Sequence, residues 1–388
     1  KETPHHSEYP DFDEEVKDIR ELAQTSLKRR ALLQTFEKEF RRGDWQPALK
    51  TYAGLDAFTA SEYPERAENY YQRARLENSI NHYTRARMFC ERAIRILRHT
   101  PGDLSLLGQS YLLLSQVYWK LGNTAEAAIH LNDAEAGFKQ AEDEIGLRLV
   151  QLERGYMYFR TQQFTEANRL ILEVQQAFRD AHEPIHLASA LNLLGRIARV
   201  DARHSDRREI GFDEADRRSQ EALEVLENRD WFVAAEIYLT QSILHLSWNH
   251  FARRQKNEAE ALKHFKLAKS YLQKGWRKIE KIETPLLKSV YSGIRGKLAE
   301  VEQNESATRQ AYLDELDFAI KTKHMRLLRA LDLLENWLAQ KPPQETEAAV
   351  KWFIDRWQED ALRVRRFPQV LDALEWLRDH RPFIPDAK

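Results

Sequence analysis

In six units of this chain an alanine early in the predicted helix after a turn is followed seven residues later by another small or aliphatic residue. The pairs are Ala48/Leu55, Ala86/Ala93, Ala127/Ala134, Ala167/Val174, Ala215/Ala222 and Ala261/Ala268. Seven residues are two turns of an α-helix, so each pair marks a face that lets a neighbouring helix approach closely. In three units a further small residue stands twelve positions before the alanine: Ala74, Ser115 and Gly155. In the next two units it is Gly195 and Ser242, with gaps of twenty and nineteen. That widening predicts turn insertions of about seven or eight residues. Between the two small positions lie tight-turn segments such as Trp119 to Ala127 and Phe159 to Ala167. A unit of helix, turn and helix recurring about every 40 residues cannot bury its apolar face alone. Such units must stack on one another.

The filled positions resemble the tetratricopeptide repeat family, whose motif alternates small and aromatic residues across a helix pair. Ser115, Tyr118, Gly122, Ala127, Leu131 and Ala134 fill one copy. Gly155, Tyr158, Phe164, Ala167 and Val174 fill the next, and Ala74, Tyr83, Ala86, Cys90 and Ala93 an earlier one. The resemblance implies an all-α fold, a right-handed α–α superhelix of about seven helix pairs with a helical C-terminal cap. Repeat starts fall near 29, 67, 108, 148, 188 and 235, and the repeats run over 29–283. The departures are a period longer than the family's and Phe36 where a small residue belongs.

The flanks follow from local signals. Residues 1–28 hold a polar tail and the start of a first helix, which is capped at Asp11 and stops at Gly43. A degenerate helix pair is expected over 284–322 and a cap over 323–388, with helices near 323–340, 344–360 and 363–380. Trp337, Trp352, Phe353, Trp357 and Trp376 would form the cap's core or, alternatively, a docking surface.

Composition removes whole classes of function. Sixty basic residues against sixty-one acidic ones give a net charge of −1, so no global field draws nucleic acid or an anionic membrane. One cysteine, Cys90, excludes an internal disulfide framework and suits a cytoplasmic protein with a core thiol. The most apolar window, Leu104 to Trp119, carries polar residues throughout and reads as a buried helix rather than a membrane span. The chain begins at Lys1, which suggests a part of something longer. His182-Glu-Pro-Ile-His186 matches the HExxH zinc pattern, but Pro184 between the two histidines places them on a loop and a helix. No phosphate-binding glycine loop and no nucleophile elbow occurs. Neither cofactor nor metal is therefore expected, and a non-enzymatic role is favoured over dispersed catalytic residues.

The family resemblance implies that the first helix of each pair lines a concave groove. Its inner positions are Tyr71, Arg75 and Asn78; Gln116, Trp119 and Lys120; Tyr156, Phe159 and Arg160; and Asn192, Arg196 and Arg199. This set is basic, aromatic and amide-rich, with no carboxylate, which suits a protein or peptide partner bearing acidic groups. Packing of the aromatics on neighbouring repeats, with the arginines bridging to glutamates, is the alternative reading. The lengthened repeats also resemble sensor arrays of bacterial STAND-type signal-transduction ATPases, which would make an attached ATPase or effector domain a partner. A free-standing scaffold is the competing expectation. Two basic stretches, Arg203/Arg207/Arg208 and Arg253/Arg254/Lys256, fall in the expected insertions.

Overall fold

The computed structural model describes residues 12–58, 63–99, 103–204, 208–227, 229–280, 284–322 and 325–358, with 370, 371 and 374. Among them are sixteen helices and no strand. They are α1 (Phe12–Arg42), α2 (Trp45–Phe58), α3 (Tyr63–Ser79), α4 (Tyr83–His99), α5 (Leu104–Lys120), α6 (Thr124–Gln140), α7 (Glu144–Arg160) and α8 (Phe164–Asp180). Then come α9 (Pro184–His204), α10 (Arg208–Leu226), α11 (Trp231–Arg254), α12 (Glu258–Ile279), α13 (Pro285–Val301), α14 (Glu305–Thr322), α15 (Met325–Leu338) and α16 (Pro343–Gln358).

The 40-residue period has a simple local origin. Helices α5 to α8 are each 17 residues long and are joined by three-residue turns. In each turn the middle residue takes a left-handed conformation: Gly122 (φ 83°), Glu142 (φ 54°), Gln162 (φ 63°) and His182 (φ 56°). Three of the next helices are capped by the turn's last residue or an equivalent: Asn123 accepts from the Glu126 amide at 3.2 Å and Asp143 from the Gly146 amide at 2.8 Å, as Asp103 does for Leu106 at 2.8 Å. At the chain's start, α1 ends before Gly43 (φ 73°).

Each odd-numbered helix forms a hairpin with the even-numbered helix after it, and from α3 to α15 successive odd helices also touch. The result is a right-handed superhelix of seven helix pairs, α1 to α14, whose inner face is made by the odd helices. Helices α15 and α16 close its C-terminal end around Trp337, Phe353 and Trp357, with Trp352 partly buried; Trp376 lies outside the described residues. The turning brings the first pair back onto the array. Helix α1 touches α11, and Trp231 packs against the cluster of Phe36, Trp45 and Tyr52.

Small residues do the work expected of them between the middle helices. Phe138 of α6 is fully buried in a slot between Gly108 of α5 and Gly146 of α7. A Cβ at Gly146 would stand 2.1 Å from that ring, and one at Gly108 2.7 Å from it. Ser115 donates to the Ala127 carbonyl twelve residues on at 2.7 Å, tying α5 to α6.

The two wide gaps are not turn insertions. Helices α11 and α12 are 24 and 22 residues long and are still joined by a three-residue turn, Gln255 to Asn257. The additional residues extend α11 by about two turns and α12 by about one and a half. Asn249, not Ser242, takes the place of Ser115, donating to the Ala261 carbonyl at 2.6 Å across twelve residues. Ser242 donates to the Ala268 carbonyl at 2.9 Å, deeper in the hairpin. Helix α9, at 21 residues, is lengthened in the same sense. Arg207 and the side chain of Arg203 lie outside the described residues.

The extended hairpin is filled with polar side chains. Gln241, Ser242, His245 and Asn249 form a buried stripe on α11, facing His264 of α12. The two histidines, 1% and 2% exposed, meet Nδ1 to Nδ1 at 2.9 Å. His264 Nε2 donates to Glu260 at 2.9 Å, so its Nδ1 is the acceptor and His245 Nδ1–H the donor. His245 Nε2 is then a bare acceptor without a hydrogen-bond partner among the described residues, with Asp216 Oδ1 at 3.5 Å. Trp248 stacks on His264 at 3.9 Å and Tyr271 on His245 at 5.3 Å.

Candidate ligand-binding groove

All twelve residues expected in the groove stand on odd helices of the inner face, three each on α3, α5, α7 and α9. Helical spacing of three or four residues puts each triplet on one side of its helix. Most are partly buried, Arg160 is exposed, and Asn192 is the exception at 3% exposure. The Asn192 Oδ1 has no hydrogen-bond partner among the described residues.

The inner side chains engage one another from repeat to repeat. The Arg160 guanidinium lies over the Trp119 ring of the preceding repeat at 5.3 Å, and Arg196 over Phe159 at 4.6 Å. Arg75 lies over Phe40 of α1 at 4.3 Å. Lys120 donates to Asn78 at 3.0 Å and lies 5.4 Å from the Tyr83 ring. Gln116 donates to Glu153 at 3.1 Å, and Tyr156 to the Ser189 carbonyl at 3.3 Å. Cation–aromatic contacts of this kind hold both partners in place.

The groove is not free of carboxylates. Glu37 of α1 pairs with Arg75 at 2.8 Å. Burial alone would raise the Glu37 carboxyl, but Arg75 and Arg41 overcome it and hold it at about 2. Glu153 of α7 and Glu236 of α11 stand within electrostatic reach of Lys120. Burial pushes the Glu236 carboxyl up against the pull of Arg196, Lys120 and Arg160. Burial, reinforced by Arg160, lowers the Lys120 ammonium to about 8. Burial raises the Tyr156 phenol. The inner face therefore holds cations and carboxylates close together, with Lys120 and Arg160 beside each other and Glu153 and Glu236 within reach of Lys120. Glu236 escaped the sequence reading because α11 carries the shifted register. Glu37 and Glu153 had a readable signal, lying 38 and 37 residues from Arg75 and Gln116, about one repeat away.

The remaining sequence candidates are placed as follows. His182 is exposed in the α8–α9 turn, while His186 lies in α9 against the Phe178 ring at 5.4 Å. Burial, with Arg41 and Arg75 nearby, lowers the His186 imidazole to about 4. No cluster of three metal-ligating side chains occurs among the described residues. Cys90 is buried in the apolar core, which raises its thiol. No helix among the described residues is long and apolar enough to cross a membrane.

Fold and inner face together define an α–α superhelix of the tetratricopeptide type. The family model described as tetratricopeptide repeat matches residues 65–140. No curated protein is significantly similar in sequence. Among solved structures, the chain is similar to NprR in complex with its cognate peptide NprX, at 14% identity, TM-score 0.59, covering 90% of this chain and 95% of that one. It is similar to the Rap conjugation gene regulator of plasmid pLS20 in complex with the Phr* peptide, at 12% identity, TM-score 0.53 and coverage of 83% and 81%. It is similar to human IFIT1 in a dimer with PPP-AAAA, at 13% identity, TM-score 0.52 and coverage of 86% and 69%. At such identities the likeness is one of fold.

Proposed function

We propose that the inner face binds an extended peptide segment bearing acidic groups, and that the chain is a non-catalytic recognition module. The observation that carries this reading is the repeat-to-repeat row of cations on aromatic rings: Arg75 on Phe40, Arg160 on Trp119 and Arg196 on Phe159. Packed helices lie about 9 Å apart, and an extended chain advances ~3.3 Å per residue. Successive inner helices, which carry Arg75, Lys120, Arg160 and Arg196 in turn, thus meet about every third residue of a bound strand. Lys120, Arg160 and Arg196, gathered around Glu236, supply the positive centre for a carboxylate. That NprR and the pLS20 Rap regulator are peptide complexes supports the same reading. A role as the ligand-sensing part of a cytoplasmic signalling protein, beside an ATPase or effector domain, extends the proposal on the strength of the long repeats. A free-standing scaffold would use the same surface.

Selection of displayed peptides on the full chain, followed by calorimetry, tests it. Enriched peptides should carry acidic residues at roughly three-residue intervals. Trp119→Ala and Arg196→Glu should each weaken them at least tenfold. Peptides that bind both variants as tightly as the parent would defeat the groove assignment. Tight binding of single-stranded RNA with no peptide enrichment would transfer the surface to another ligand class.

A further inference from the structure

The seam where the array returns on itself holds a cleft of about 420 Å³, lined by Lys38, Arg41, Arg42, Asp44, Arg229 and Trp231. Three of its cations come from the last turns of α1, and the fourth precedes α11. The pull of a helix C-terminus on basic side chains accounts for Arg41 and Arg42 individually. It does not account for their meeting Arg229 across the fold, nor for Lys278, whose ammonium lies 4.7 Å from the centre of the Trp231 ring.

The acids nearby engage Arg41 and Arg229 but neither Lys38 nor Arg42. Arg41 reaches Glu37 through Nε at 2.8 Å, and that carboxylate is shared with Arg75. Arg229 reaches Glu227 at 2.8 Å through one terminal nitrogen. Lys38 and Arg42 have no ion pair among the described residues. The one carboxylate in the lining is Asp44, just before α2. Four cations beside one lining carboxylate repel one another, and a multiply charged anion would reverse that. Guanidinium forks match tetrahedral oxyanions through paired N–H bonds, and a cleft of this size admits a small molecule rather than a protein surface.

We propose that this seam is a second binding site, for a small molecule carrying two or more linked phosphate groups. The phosphates would be held between α1 and the start of α11 by Lys38, Arg41, Arg42 and Arg229. Because the two walls belong to the first and sixth helix pairs, the ligand would tie them together.

The test is calorimetry and thermal melting of the full chain at low salt with pyrophosphate, adenosine triphosphate, adenosine and citrate. Pyrophosphate and the triphosphate should bind and raise the melting temperature, with affinity falling steeply as salt rises. The exposed charge reversals Lys38→Glu and Arg42→Glu should each weaken pyrophosphate at least tenfold while circular dichroism stays unchanged. Absence of pyrophosphate and triphosphate binding up to millimolar concentrations would overturn the proposal, as would binding indifferent to both reversals. Citrate or adenosine binding as tightly as pyrophosphate would overturn the assignment to linked phosphates.

Discussion

The α5–α6 hairpin and its junction with α7 are closed by an aromatic ring in a glycine slot; the α11–α12 hairpin is closed by two histidines, an asparagine and a glutamine. Both use the same three-residue turn and the same side-chain bond from one helix to the other, twelve residues apart, Ser115 to Ala127 and Asn249 to Ala261. What differs is length. Seventeen-residue helices bring glycine and alanine faces together. The greater length of α11 and α12 creates additional buried positions, several of them polar. His245 bonds His264 and Asn249 bonds the Ala261 carbonyl, while Gln241 Oε1 and His245 Nε2 have no hydrogen-bond partner among the described residues. The first seam should therefore be sensitive to volume and the second to hydrogen bonding and protons.

Removing the ring from the glycine slot should have the largest effect. Phe138→Ala is expected to cost about 3–5 kcal/mol, read from urea midpoints. A loss below about 1 kcal/mol would mean the slot collapses freely and the contrast with α11–α12 is false.

Next comes the histidine pair. His245→Leu leaves the His264 Nδ1 acceptor buried without a donor and should cost about 1–3 kcal/mol. The double variant His245→Leu/His264→Leu should cost less than the sum of the singles, because it removes both partners. Strict additivity in that cycle would show that the 2.9 Å contact couples nothing.

Acid should act on the same seam. Burial lowers the His264 imidazole, the Glu260 bond opposing it in part. A histidine whose folded value lies below its unfolded one binds fewer protons when folded. Its contribution is present above the ordinary value near 6.5 and is lost as pH falls through the folded value. A proton on His264 Nδ1 also turns that acceptor into a donor, so that it no longer receives the His245 N–H. Amide protection in α11–α12, corrected for intrinsic exchange, should fall as pH drops below about 6.5, before that in α5–α6. His186 adds a loss near α9 that completes only at about pH 4. Simultaneous loss in both hairpins would erase the distinction.

The smallest effect concerns the turns that the hairpins share. Gln162 holds a left-handed conformation that glycine adopts without steric cost. Gln162→Gly should stabilise by about 0.5 kcal/mol, the relief of strain exceeding the added chain entropy. Gly122→Ala should move the melting temperature the other way.

How far the sequence could be read depended on whether a position is constrained by its own neighbours. Ala127, Ala134 and Gly155 were legible because close helix approach admits only small side chains wherever the unit sits. The longer hairpin was misread because Ser242 matched the search for a small residue, while Asn249, which makes the bond near the turn, is not small. The placement of the twelve candidate residues on α3, α5, α7 and α9 followed from the repeat register that the family resemblance implies. Glu236 was not, since its nearness to Arg196 depends on how α9 and α11 lie together. The cationic seam was invisible for the same reason in stronger form: nothing local links Arg42 to Arg229.

That seam also changes what kind of polymer this array is. Stacked repeats that touch only their neighbours behave as a one-dimensional chain, and the terminal unit, with one neighbour instead of two, frays first. The contact of Trp231 with Phe36 and Trp45 gives the first pair a second neighbour from the far side of the superhelix. Fraying at that end then requires two interfaces to open together, while the α15–α16 end keeps the ordinary linear behaviour. The array should melt directionally, from its C-terminal cap inward, with the first six pairs lost as one cooperative block.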